Sequence, residues 1–179
     1  SRHAARERRA RRLLERAYGC RSLRLLGQGG EGVVFTDGTK VYKVFDILKR
    51  RPNHDALSTL RKLAERLKST THLYPITQLD THDEMLVLIY PYEPSRPYMG
   101  GEGPGLIGLL RECKTLGITF RNMHPKNLRV ASTGLKLIDL GSDIRPFTEK
   151  GFRSMAQRAY LSWRWPHRED LDQVMRRAL

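Results

Sequence analysis

Four glycines within six residues constrain this chain more than any other feature. Gly27, Gly29, Gly30 and Gly32 interrupt the apolar stretch 23–35, and Val34 follows two residues after the last of them. Glycine lacks a Cβ, so such a stretch either turns tightly or lets another molecule approach the backbone closely. The flanking residues predict strand, loop and strand; Thr36-Asp37-Gly38-Thr39 then predicts a turn into a third strand at 41–45. That third strand carries Lys43 among Val41, Val44 and Phe45. A lysine in such a setting loses hydration unless an anion meets it, and the alternative is an edge strand with Lys43 facing solvent.

The rest of the chain supplies helices and further strands. Ala10, Leu13, Leu14 and Ala17 recur at helical spacing and predict a basic helix over 2–18, which Gly19 can end. Pro52-Asn53-His54-Asp55 predicts a helix start, and Leu57, Leu60, Leu63, Ala64 and Leu67 make its apolar face as far as the break at 69–71. Strands are expected at 74–79 and 85–89 around a polar turn at 80–84. Residues 90–104, rich in Pro, Gly and Tyr, read as a connector. Beyond it Leu106, Ile107, Leu109, Leu110 and Cys113 predict a helix ending at Gly117, and 128–130 with 135–138 predict a hairpin that leaves Lys136 on its solvent side. A helix over 148–163 should turn Phe152, Met155, Ala159 and Trp163 to one side, and a second helix is expected over 170–179.

Charge narrows the partners. Lys and Arg number 33 against 19 Asp and Glu, a formal net charge of +14, with arginines concentrated near both ends. This favours an anionic partner, whether phosphate, acidic protein, nucleic acid or an anionic membrane surface. Cys20 and Cys113 lie far apart without a Cys-x-x-Cys motif, so the spacing encodes neither a disulfide framework nor a zinc site. No run approaches the roughly 18 apolar residues of a membrane span, and a cytoplasmic location is expected. The chain does not begin with Met, which predicts processing or excision from a longer chain.

Two downstream motifs give the glycine stretch its meaning. Asn122-Met123-His124-Pro125-Lys126-Asn127 precedes Leu135-Lys136-Leu137-Ile138-Asp139-Leu140-Gly141, an apolar strand that ends in a carboxylate and a glycine. A carboxylate there, with a carboxamide at Asn127, is the oxygen donor set that suits Mg²⁺, although an Asp that merely forms a turn would read the same. In order and type, the glycine loop, the strand lysine, the connector, the catalytic-loop motif and the Asp-Leu-Gly resemble the protein-kinase-like fold over residues 23–147. His124-Pro125-x-Asn127 is similar to the atypical and small-molecule kinases, such as the aminoglycoside phosphotransferase, lipopolysaccharide-core and ubiquinone-biosynthesis kinase families. The resemblance implies an α+β fold: a basic helix at 1–22, a lobe of small antiparallel sheet plus helix at 23–92, and a reduced, mainly helical lobe at 93–179 joined to it by a hinge.

It also implies roles. ATP would lie under Gly27, Gly29, Gly30, Gly32 and Val34, with its phosphates on Lys43 and with Glu65 as the carboxylate partner of that lysine. Glu65 pairing with Arg61 on an exposed helix face is the alternative. Ile89 would back the adenine, Tyr90 and Tyr92 would offer backbone hydrogen bonds to it, and Asn127 and Asp139 would hold Mg²⁺. The departures are as informative. Phe120-Arg121-Asn122 stands where the family has His-Arg-Asp, no Ala-Pro-Glu follows Asp139, and few residues remain for the second lobe. An amide at 122 cannot accept a proton from a substrate hydroxyl. His124, two residues on, would reach the phosphate or take that proton, or else cap its own loop. The expectation is therefore a divergent kinase moving phosphate from ATP to a hydroxyl on a small molecule, glycan or protein. The alternatives are a pseudokinase that binds nucleotide and regulates a partner domain, and a basic nucleic-acid-binding domain.

Overall fold

The computed structural model describes residues 1–45, 54–67, 70–121, 123–138, 140–141, 143 and 144–164. Asn122, Asp139 and the helix expected at 170–179 lie outside the described residues. The chain is α+β and divides into two compact units, one formed by 1–69 with 74–93, the other by 70–73 with 94–179.

Among the described residues the first unit is a five-stranded antiparallel sheet with two helices. Its strands are β1 (Arg24–Gln28), β2 (Gly32–Thr36), β3 (Lys40–Phe45), β4 (Gln78–His82) and β5 (Met85–Pro91), in the order β1-β2-β3-β5-β4. The β2–β3 turn is locked by Asp37, whose carboxylate accepts the amides of Thr39 at 2.8 Å and Lys40 at 2.7 Å. Asp83 and Glu84 turn β4 into β5 with positive φ at both residues, the geometry that matches the twist of a two-residue hairpin. Expected at 74–79, β4 instead occupies 78–82, because Pro75 has no amide to donate and the tight turn draws the pairing up to His82 and Met85.

Helix α1 (Arg2–Tyr18) is capped by the Ser1 hydroxyl and stopped by Gly19 in the left-handed conformation. It lays Ala10, Leu13 and Leu14 on one face of the sheet, against Val33, Phe35, Tyr42, Val44, Met85, Val87 and Ile89. Tyr18, at its last turn, donates to Asp80 at 2.6 Å and lies 3.0 Å from His82 Nε2, which fastens that end of α1 to β4. Helix α2 (His54–Ala64) packs against β4, with Leu60 and Leu63 buried.

The second unit joins a three-stranded sheet, β6 (Ser95–Pro97), β8 (Leu128–Ala131) and β9 (Gly134–Leu137), to the pair β7 (Ile118–Phe120) and β10 (Ile144–Pro146) and to the packed helices α3 (Gly103–Leu116) and α4 (Glu149–Arg164). Residues 70–73 run beside β9. Glu112 accepts the amides of Thr71 at 2.6 Å and His72 at 2.9 Å, while His72 Nδ1 lies 2.8 Å from the Leu135 carbonyl. That segment corrects one expectation: Lys136 is not on a solvent face but buried, donating to the Thr71 carbonyl. Local alternation pointed outward, and a segment from far upstream covers the position. In α4 the buried residues are Met155, Ala159 and Ser162, so Trp163, one step further round the helix, is 48% exposed and not in the packed row. The connector at 90–104 also holds more structure than expected, since β5 extends to Pro91 and β6 pairs with β8.

Candidate nucleotide site

Residues directly opposite one another in antiparallel strands share a face, so the register defines what surrounds Lys43. Gly27 pairs with Val34, Val34 with Lys43, Lys43 with Leu88 and Leu88 with Leu79, a row that crosses all five strands. This row lies on the face opposite α1. Lys43 is 7% exposed on the central strand, and its ammonium stands 5.4 Å from the Phe45 ring centre. The edge-strand reading of this lysine does not apply.

The glycines divide by what constrains them. A Cβ on Gly32 would run into the Val44 carbonyl and come within 2.6 Å of the Phe45 Cβ, so close packing of β2 on β3 requires glycine there. At Gly27, Gly29 and Gly30 a Cβ would meet nothing within 4 Å, and none of the three has positive φ. Neither packing nor turn geometry accounts for them. The loop is held on the α1 side: the Arg6 guanidinium donates to the carbonyls of Gly29 at 3.0 Å and Gly30 at 3.1 Å, and the Gln28 side-chain Nε2 donates to the His3 carbonyl at 2.9 Å. Gly29 also donates its own amide to Gly32 at 3.0 Å. Sequence reading missed Arg6, because nothing local to it points to a loop more than twenty residues away.

Ile89, Tyr92 and Glu65 sit differently from expectation. Ile89 pairs with Tyr42 and belongs to the α1 core, so it does not back a site on the Lys43 face; Leu88, in that row, and Tyr90, two residues along β5, lie on that face instead. Parity along β5 decides this, and one residue of register separates the two faces. Tyr92 donates its amide to the Thr39 carbonyl at 2.9 Å, which leaves it no amide hydrogen for a base. Tyr90 is buried, pairs with Val41 and stacks on Tyr74 at 5.6 Å. Glu65 falls just past the end of α2, in an exposed turn rather than inside the helix.

In the second unit, Ile138 donates its amide to the Asn127 carbonyl at 2.9 Å, which continues the β8–β9 hairpin by one step. Arg121 donates to the Asp143 carbonyl at 2.8 Å beside the Phe120–Ile144 pair. The loops that carry Asn122 and Asp139 are therefore tied to one another at both ends. Phe120 is buried, an apolar anchor for that junction. His124 Nδ1 accepts the Lys126 amide at 3.2 Å and caps the single turn Pro125–Asn127. Accepting at Nδ1 puts the ring proton on Nε2, so in this state Nε2 is a donor and not a proton acceptor.

Among the described residues no group of three or more His, Cys, Asp or Glu could hold a metal ion. Asn127 brings one hard oxygen, of the kind Mg²⁺ prefers, and its backbone is bonded to the residue before Asp139. No helix among the described residues is long and apolar enough to cross a membrane. Comparison with protein families and with curated proteins gives no match for this sequence.

Proposed function

We propose that this chain is a divergent kinase-like protein that binds Mg·ATP and transfers its terminal phosphate to a hydroxyl acceptor. The observation that carries the reading is the buried Lys43 on the central strand, in one row with Gly27 and Val34, beside glycines that the fold itself does not need. Polyphosphate is an anion that a lysine ammonium can pair with and that glycine backbones can approach closely. In this reading Gly30 and its neighbours admit the phosphates, Lys43 pairs with them, and the His124 Nε2–H donates to a phosphate oxygen. Asn127 and Asp139 would hold Mg²⁺, which when bound neutralises charge on the phosphates.

Asn122 supports a second reading, a pseudokinase that keeps the nucleotide and regulates a partner domain. General-base assistance contributes about 10²–10⁴ in rate, whereas positioning and electrostatics carry most of phosphoryl transfer, so its absence weakens turnover without abolishing it. Melting with and without Mg·ATP tests what the two readings share. A hundredfold excess of nucleotide over Kd stabilises by about 2.7 kcal/mol, an upward Tm shift that Lys43→Ala and Asp139→Ala should lose. No shift in the wild type overturns both readings. ATP consumption that disappears in Lys43→Ala favours the enzyme, and binding without consumption favours the pseudokinase.

A further inference from the structure

The arginines along α1 differ in what they hold. Arg6 holds the glycine loop, and Arg11 donates to the Leu23 carbonyl at 2.8 Å, pairs with Glu7 at 3.3 Å and lies 4.9 Å over the Phe35 ring. Arg8, Arg9 and Arg12 are exposed and make no hydrogen bond or ion pair among the described residues. Together with Arg16 they rim a hollow of about 440 Å³ whose lining includes Ala5, Leu13 and Met85. Its one acidic group, Asp83, sits 3.4 Å from Arg16. With a helical rise of about 1.5 Å per residue, Arg8, Arg12 and Arg16 follow one another at steps of roughly 6 Å.

We infer that this hollow is a docking site for an acidic peptide segment of a partner protein, with an apolar side chain seated on Leu13 and Met85 and carboxylates on the guanidiniums. Charge complementarity selects an anion, and three like charges without partners on one helix flank are relieved by one. Shape and lining then select the class. The volume exceeds what a single small anion fills, and the mixed lining suits side chains of both kinds. Guanidinium forks match carboxylates in bidentate geometry. A membrane surface fits poorly, because α1 lays its apolar side on the sheet and the little of Leu13 and Met85 left accessible lines the hollow among arginines, enough to seat one side chain and too little to insert into a bilayer. A nucleic-acid strand finds no aromatic ring in the lining to stack on, and meets Asp83 there. The inference does not depend on the proposed nucleotide chemistry.

Fluorescence anisotropy of the full chain with a labelled peptide of glutamate pairs separated by leucines tests it. Arg8→Glu with Arg12→Glu should weaken binding at least tenfold. Arg111→Glu with Arg153→Glu, an equal charge change at exposed positions on α3 and α4, should leave it within twofold. An all-glutamate peptide of the same length should bind at least fivefold more weakly. Ala5→Glu, which puts a carboxylate into the hollow and removes no arginine, should abolish binding too and guards against loss of fold in the double variant. Equal losses in the two double variants, equal affinity for the two peptides, or no binding at all overturns the proposal. So does tighter binding of an oligothymidylate or of phosphatidylserine vesicles that Arg8→Glu with Arg12→Glu removes.

Discussion

Replacing Gly32 by Ala puts one methyl group where β2 meets β3, and the structure gives the scale of the consequence. Paired strands stand about 4.8 Å apart, and real Cβ atoms keep more than 3.0 Å from their neighbours. The new Cβ would come within 2.6 Å of the Phe45 Cβ and closer still to the Val44 carbonyl. One obstacle is backbone and the other belongs to a ring that is 1% exposed, so neither can swing aside and the strands must part by several tenths of an ångström. Overpacking of this kind costs about 1–3 kcal/mol, and the reduced freedom of the unfolded chain returns about 0.4–1 kcal/mol. A net loss of roughly 1–2 kcal/mol follows, or about 2–8 °C in Tm for a chain of this length. Gly29→Ala and Gly30→Ala meet nothing within 4 Å and should melt within about 1 °C of the wild type or slightly above it. The assay is thermal melting by far-ultraviolet circular dichroism of the three variants, each with and without Mg·ATP. Gly29→Ala and Gly30→Ala should keep the fold and lose most of the nucleotide-dependent shift. If Gly32→Ala melts with the wild type, the close β2–β3 approach is wrong. If the alanines at 29 and 30 respond to Mg·ATP as the wild type does, those glycines do not serve a ligand.

Other positions give independent checks. Lys136→Ala removes a buried charged donor from the Thr71 carbonyl and should destabilise by about 1.5–3 kcal/mol in urea unfolding, with faster amide exchange over 70–73; an unchanged midpoint would return Lys136 to the solvent face. Gly108→Ala would push against the His72 ring, 3.0 Å from its Cδ2, and should loosen the His72–Leu135 contact at a cost of about 1–3 kcal/mol by the same measurement. Burial and the nearby Glu102 carboxylate push the Tyr98 phenol up to about 12. Its contribution to stability is therefore complete below the ordinary tyrosine value near 10 and is lost as pH rises through about 12. Unfolding midpoints measured across that window should fall for the wild type and fall less for Tyr98→Phe. Burial, with Glu112 nearby, likewise raises the Cys113 thiol to about 12, so at pH 8 it should react with a maleimide only after denaturation.

What could be read from the sequence was local, and what could not was set by distant partners. The boundaries of α1 were legible because Ser1 and Gly19 mark its ends and an apolar stripe runs between them. The β8–β9 hairpin was legible because Gly134 and two apolar runs frame it. For Lys43 the sequence left two settings open, burial against an anion and an edge strand facing solvent, and only the pairing of β3 with β5 makes its strand central. Ile89 was assigned to the wrong face because β5 is buried along both faces, so the alternation that marks sides in a half-exposed strand is missing. Lys136, Trp163 and the Tyr92 amide were misjudged for a related reason. Their surroundings come from residues 70–73, from the turn of α4 and from Thr39, and no pattern around them records these.

The coupling between the two central loops bears on the meaning of Asn122. Arg121 is joined to Asp143 and Asn127 to Ile138, so the segments that flank Asn122 and Asp139 are bonded to each other on both sides. Phe120 and Met123, both buried, pin the first of these loops from beneath. In the kinase reading the residue at the place of the proton acceptor is an amide, and His124 spends its Nδ1 on its own turn. A general base is worth about 3–5 kcal/mol of barrier at 10²–10⁴ in rate. In the kinase reading proposed above, Lys43, Asn127 and Asp139 are the groups on which phosphate positioning and charge neutralisation would rest. Under that same reading, an acceptor with an already acidic hydroxyl would need the least help in releasing its proton.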